Sequence, residues 1–160
     1  MQGEPSGSPF FCPSRYNLCG NMAEYFKVEI QDGAENIPDH GIVIVPHSWF
    51  IDERSAPQES LWFFGYRIAI INVGPKSAKL LTRHWYITDA MDRTNEVEGE
   101  GVVGHQPHIE PMHGFRYTSF CPLGTECGTM RGSYIFERDG GERFEVDVPG
   151  FILASDTSVH

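Results

Sequence analysis

The stretch GEGVVGHQP, Gly99 to Pro107, spaces Gly99, Gly101 and Gly104 as G-x-G-x-x-G. That spacing grips a pyrophosphate when a strand ends, the glycines turn the chain, and a helix begins with its amides aimed at the anion. The context here points elsewhere. Pro107 and Pro111 follow closely and bar a helix of useful length. The acidic residue expected about 20 positions on in a βαβ unit is missing. Glu96, Glu98 and Glu100 surround the glycines, and their carboxylates repel a pyrophosphate. The residues therefore read as a glycine-shaped connection between strands. The alternative is a candidate anion loop at Gly99, Gly101 and Gly104, a helix-free nest of backbone amides.

Other residues could do chemistry. His105, His108 and His113 lie near one another with Glu100 and Glu110, and imidazole with carboxylate suits cobalt, nickel or zinc. The plainer reading is exposed loop histidines, and no metal is assigned. Cys12, Cys19, Cys121 and Cys127 form no C-x-x-C pair and lack the spacing of common zinc modules. No G-x-S-x-G elbow is present, and nothing in the spacing couples Cys121 to a histidine. No catalytic residue and no cofactor are assigned, and the chain reads as a non-enzyme. Arg83 shares strand parity with Trp85; it reads as a rim residue with packed stem and solvated head rather than a buried charge needing a carboxylate or an aromatic face. Trp49, Phe50 and Trp62 flank the charged loop IDERSAPQES and read as core, with a partner anchor as the alternative.

These residues must be positioned by a fold that 160 residues can build as one domain. Hydrophobic residues make up 40% and aromatics 12%, enough for a packed interior. The net charge of −10, with no lysine or arginine cluster, argues against nucleic acid and anionic membrane as partners. The N-terminus lacks a basic start and an apolar stretch, so no signal peptide is read, and no apolar run spans a bilayer. Reduced thiols and a cytoplasmic or nuclear location are expected.

The apolar segments are short and alternate. YFKVEIQ sets Phe26, Val28 and Ile30 against Tyr25, Lys27 and Glu29. GIVIVPHSWFI is rich in β-branched residues, with Pro46 marking an edge or a bulge. LWFFGYRIAIINVG places Phe64, Tyr66, Ile68 and Ile70 on one face, and Gly74-Pro75 ends it. KLLTRHWYITD aligns Leu81, Trp85 and Ile87. FRYTSFC turns Phe115 and Tyr117 inward, and GTMRGSYIFE does so with Met130, Tyr134 and Phe136. RFEVDV buries Phe144, Val146 and Val148, RDGG joins it to the preceding strand as a hairpin, and FIL forms a final short piece. The pattern predicts an all-β fold, an antiparallel two-sheet sandwich of seven to eight strands. Residues 1–22 read as a Gly/Pro/Ser-rich tail, 23–40 as an extension with one added strand, 41–154 as the sandwich, and 155–160 as a C-terminal tail.

The segments FFGYRIAIINVG, LLTRHWYITDA, EVEGEGVVGHQP, FRYTSFCPL, GTMRGSYIF and FEVDVPGFIL occur in this order with compact spacing. Together they resemble the ApaG domain over about residues 41–154. Gly150 stands where that family often has another residue. The resemblance implies a fibronectin-III or immunoglobulin-like sandwich. It implies two contexts as well: stand-alone bacterial proteins linked to cobalt tolerance and magnesium efflux, and modules appended to F-box subunits of ubiquitin ligases or to a polymerase-delta-binding protein. The expected function is protein binding, through an exposed aromatic or edge-strand patch rimmed by acid that captures a basic partner. The alternative is a small-ligand binder holding a nucleotide, pyrophosphate or divalent metal near Gly99–Gly104.

Overall fold

The computed structural model describes residues 22–29 and 36–155. Its strands are β1 (Ala23–Lys27), β2 (Ile42–Phe50), β3 (Trp62–Asn72), β4 (Ala78–Asp89), β5 (Thr94–Glu100), β6 (His108–Ile109), β7 (His113–Leu123), β8 (Cys127–Glu137) and β9 (Arg143–Ala154). They form two antiparallel sheets. One is ordered β1-β7-β3-β2; the other is ordered β5-β4-β8-β9, with β6 also pairing β4. Two short 3-10 turns, Asp52–Arg54 and Pro57–Glu59, interrupt the path from β2 to β3. Among the described residues, no helix is long and apolar enough to cross a membrane.

The sandwich predicted from alternation is the sandwich observed. Phe64, Tyr66, Ile68 and Ile70 from β3 meet Trp85 and Ile87 from β4 and Met130, Tyr134 and Phe136 from β8 in one buried cluster. Full burial of each large apolar side chain contributes roughly 1.5–3 kcal/mol. Pro46 sits on β2, an edge strand, where its missing amide costs no ladder bond. The segment FIL is the end of β9 rather than a separate strand, because pairing with β8 resumes past an irregularity between Met130 and Gly132. Ile30 lies outside the described residues, as do Cys12, Cys19 and nearly all of both tails.

Two face assignments are corrected. In β1 the residues that face the core are Ala23 and Tyr25, opposite Tyr117 and Phe115, while Phe26 lies on the outer face beneath the Arg116 guanidinium. Leu81 is not among the core residues; Leu80 and Ala78 are, each with no exposed surface. A β-bulge between Leu80 and Thr82 inserts one residue against β8, so the alternation changes phase there. Phe144 is half-buried, stacked on Phe136, while Val146 and Val148 are buried as expected. Trp49, Phe50 and Trp62 are half-buried. Phe50 and Trp62 pack on the main core, and Trp49 packs on a satellite cluster of Ile51, Phe63 and Phe120 on the outer face of the four-stranded sheet.

The interior also holds polar groups. The Tyr117 and Tyr134 hydroxyls meet at 2.6 Å across the two sheets. Burial pushes the phenols of Tyr66, Tyr117 and Tyr134 well above the usual tyrosine range. Asn72 is fully buried and ties the turn between β3 and β4 to β6. Its amide nitrogen donates to the Lys76 and Ile109 carbonyls at 2.8 and 3.0 Å, and its oxygen accepts from the Gly74 amide.

Candidate functional site

The site is built by β4 and β5. Asp89 sets their pairing. Its Oδ1 accepts from the Met91 and Arg93 amides and its Oδ2 from Arg93 Nε, closing the turn that returns the chain as β5. The register that follows puts Gly99 opposite Arg83 and Glu98 opposite His84. Alternation then sends Trp85 and Val97 into the core and His84, Glu96, Glu98 and Glu100 outward.

Each glycine of the triplet has a geometric reason. A Cβ at Gly99 would stand 2.8 Å from the Nη1 of Arg83. Gly101 has φ +63°, and a Cβ there would meet the His105 carbonyl oxygen at 2.3 Å. Val103 (φ +43°) and Gly104 (φ +84°) are the central pair of a tight hairpin. Val102 and His105 close it by exchanging backbone bonds of 2.8 and 2.9 Å. Positive φ at both central residues is the type I′ pattern, and it explains the glycine. The chain then runs back along β4 as β6 rather than into a helix. The amides of Gly101, Val102 and His105 donate within the chain, to Leu81, His105 and Val102. The carbonyls of Glu100 and Gly101 turn toward Arg83, whose Nη1 donates to both at 3.0 Å. The loop thus aims oxygens at a cation that belongs to the chain itself. Arg83 is half-buried at the rim of the sheet, and these two carbonyls receive the Nη1 of its head.

The three histidines of the 105–113 segment go separate ways. His105 tilts against Phe115, His108 Nε2 lies 2.8 Å from Asp139, and His113 Nδ1 lies 3.0 Å from the Pro111 carbonyl. Among the described residues, the group with ligand atoms close enough for one ion is His84, Glu96 and Glu98, all within 4.8 Å of one another. His84 Nε2 is 2.6 Å from Glu96 and its Nδ1 is 3.1 Å from Glu98. The ring stacks on Tyr86, which in turn lies under the guanidinium of Arg131. Sequence reading passed over this trio. The alternation of EVEGE showed the two carboxylates on one face, but only the β4–β5 register brings His84 between them.

His84 and Glu98 of the trio line a groove of about 440 Å³ on the outer face of the five-stranded sheet. Glu98 and Glu100 form one wall, Ser133 and Glu145 the other, with Thr82 and His84 between. Cys121 lies far from being a nucleophile: it is fully buried, and burial pushes its thiol well above the usual range.

The family model described as the ApaG domain matches residues 52–138. Protein ApaG of Methylorubrum extorquens strain PA1 is 46% identical over 115 residues, covering 72% of this chain and 88% of that protein. Protein ApaG of Rhodopseudomonas palustris strain TIE-1 is 50% identical over 106 residues, covering 66% and 82%. The crystal structure of an ApaA protein from Bordetella pertussis superposes with a TM-score of 0.70 at 41% identity, covering 72% of this chain and 94% of that one.

Proposed function

The chain belongs to the ApaG domain family, and we propose that it acts as a protein-interaction module with no chemistry of its own. The observation that carries the proposal is the acid-walled groove at the β5 edge. An edge strand offers unpaired amides and carbonyls for a partner strand to extend the sheet. Glu96, Glu98 and Glu100 line that edge, so like charge turns away an acidic strand and a basic strand is favoured. The buried, unreactive thiol of Cys121 supports the absence of nucleophilic catalysis. Such a surface suits either context of the family, substrate recruitment to a ubiquitin ligase or a regulatory contact in cobalt and magnesium homeostasis, in the cytoplasm or the nucleus.

Amide NMR with a defined probe tests the reading. A strand-forming peptide with lysine at alternate positions is expected to shift β5 and β4 resonances saturably, and more weakly as salt rises. Glu98→Lys should abolish the effect. A peptide with glutamate at the same positions should give none. Shifts confined to other surfaces, or no saturable shift, would remove the proposal.

A second reading has its own observation, the His84, Glu96 and Glu98 trio. One imidazole and two carboxylates suit zinc, cobalt or nickel. A carboxylate on each ring nitrogen would let one share the ion while the other orients the ring. In this reading the groove is the divalent-cation site of a small-ligand binder.

A further inference from the structure

We propose that the outer face of the four-stranded sheet, opposite the acidic groove, carries a site for a phosphoryl group. Arg67 on β3 stands across from Thr118 on β7, and Arg116 on β7 stands across from Ala69. The two arginines are therefore diagonal neighbours on one face, although 48 residues separate them in sequence. With Thr118, Glu24 and Met22 they line a hollow of about 170 Å³. By the liquid share of a water molecule this is room for about six waters.

Two guanidiniums at diagonal positions repel one another unless something anionic lies between them. The fold compensates only one. Glu24 accepts from Arg116 Nε at 2.6 Å, and the Arg116 head lies over the Phe26 ring at 4.9 Å, which fixes its direction. Arg67 is exposed, and its guanidinium makes no hydrogen bond or ion pair among the described residues. His47 stands across from Arg67 on the other side, in β2. A planar carboxylate is satisfied by one arginine fork. Two forks from separate strands with a hydroxyl beside them suit a ligand with three or more oxygens, which is the phosphoryl dianion. The chain as a whole carries −10, so phosphate held against that field reports a local site and not a diffuse basic surface.

The phosphoryl group has two sources, a free phosphate ester or a phosphorylated side chain. Amide NMR titrations with inorganic phosphate, a phosphoserine peptide, its unmodified counterpart and acetate separate them. Phosphate and the phosphopeptide are expected to shift Arg67, Arg116 and Thr118 saturably at physiological ionic strength. A much tighter phosphopeptide identifies a modified protein as the source; equal affinities identify a free ester. Arg67→Gln and Arg116→Gln should each weaken binding by about tenfold or more, the loss of a charge-assisted bond. Arg143→Gln, in the other sheet, should leave it unchanged. The Arg67 guanidinium is exposed and makes no bond among the described residues, so its variant tests the site at little cost to folding. No saturable shift, shifts that survive Arg67→Gln, or acetate matching phosphate would each overturn the proposal.

Discussion

Arg83 fills the space above Gly99: its Nη1 lies 2.8 Å from where a Cβ of that residue would stand. From there the same nitrogen reaches the Glu100 and Gly101 carbonyls. A motif that resembles a phosphate grip thus has its oxygens turned inward onto a resident guanidinium, and its glycines serve curvature and close approach.

The glycines should accordingly differ in stability cost and not in ligand affinity. Gly101→Ala is the most damaging, since a positive φ and a backbone oxygen at 2.3 Å both oppose a side chain; a loss of about 3 kcal/mol is expected. Gly104→Ala meets open space and pays only for its positive φ, about 1 kcal/mol. Gly99→Ala falls between, because a flexible guanidinium can move. Denaturant midpoints measure the order. Adding pyrophosphate or ATP should shift the melting of none of them, wild type included, and a stabilisation of ~2.7 kcal/mol at a hundredfold excess over Kd would instead establish a nucleotide or pyrophosphate ligand.

Zinc or cobalt in excess is expected to raise the melting temperature of the wild-type chain through the His84 trio. His84→Ala should remove the shift, while Glu96→Gln and Glu98→Gln weaken it. His108→Ala should leave it intact, because that ring pairs with Asp139 on a separate hairpin. If His84→Ala retains the full shift, the ion binds elsewhere and the second reading fails.

The Tyr117–Tyr134 contact predicts non-additivity. Tyr117→Phe strands a buried hydroxyl and should cost about 1–3 kcal/mol. Tyr134→Phe should cost a similar amount. The double variant should lose clearly less than the sum, since both partners leave together. Additive losses in urea titrations would show that the hydroxyl pair is not coupled.

Alkaline pH should unfold the domain cooperatively. The Tyr66, Tyr117 and Tyr134 phenols are raised in the folded state by burial. A group of this kind contributes stability that is complete below the unfolded value near 10 and is lost as pH climbs toward the folded value. Phenolate absorbance from these three should therefore appear only with loss of native circular dichroism. Cys121 should stay unreactive to thiol reagents until the same point.

The sheets were legible because their chemistry is local. Phe64, Tyr66, Ile68 and Ile70 alternate with residues that need no burial, and Pro46 marked its strand as an edge or a bulge, of which the edge is observed. The glycine-shaped connection at Gly99–Gly104 was equally visible, since proline and glycine leave few conformations, though not its closure as a hairpin at Val103 and Gly104. The functional surfaces were not, because they depend on pairings between distant segments. Nothing near Arg67 announces Arg116, and the net charge conceals both. The 105–113 histidines drew attention by proximity in sequence, yet β6 stays with β4 while β7 crosses to the other sheet, which parts His108 from His113.

The bulge after Leu80 has a wider reach than its single residue. Counting faces onward from Leu80 without it would sink the His84 imidazole into the hydrocarbon interior and leave the Trp85 indole in water. Arg83 would swing away from the glycines at the same stroke. The whole exterior chemistry of that strand is therefore written by one extra residue, and flattening the bulge with every residue kept would turn the domain's recognition surface inside out.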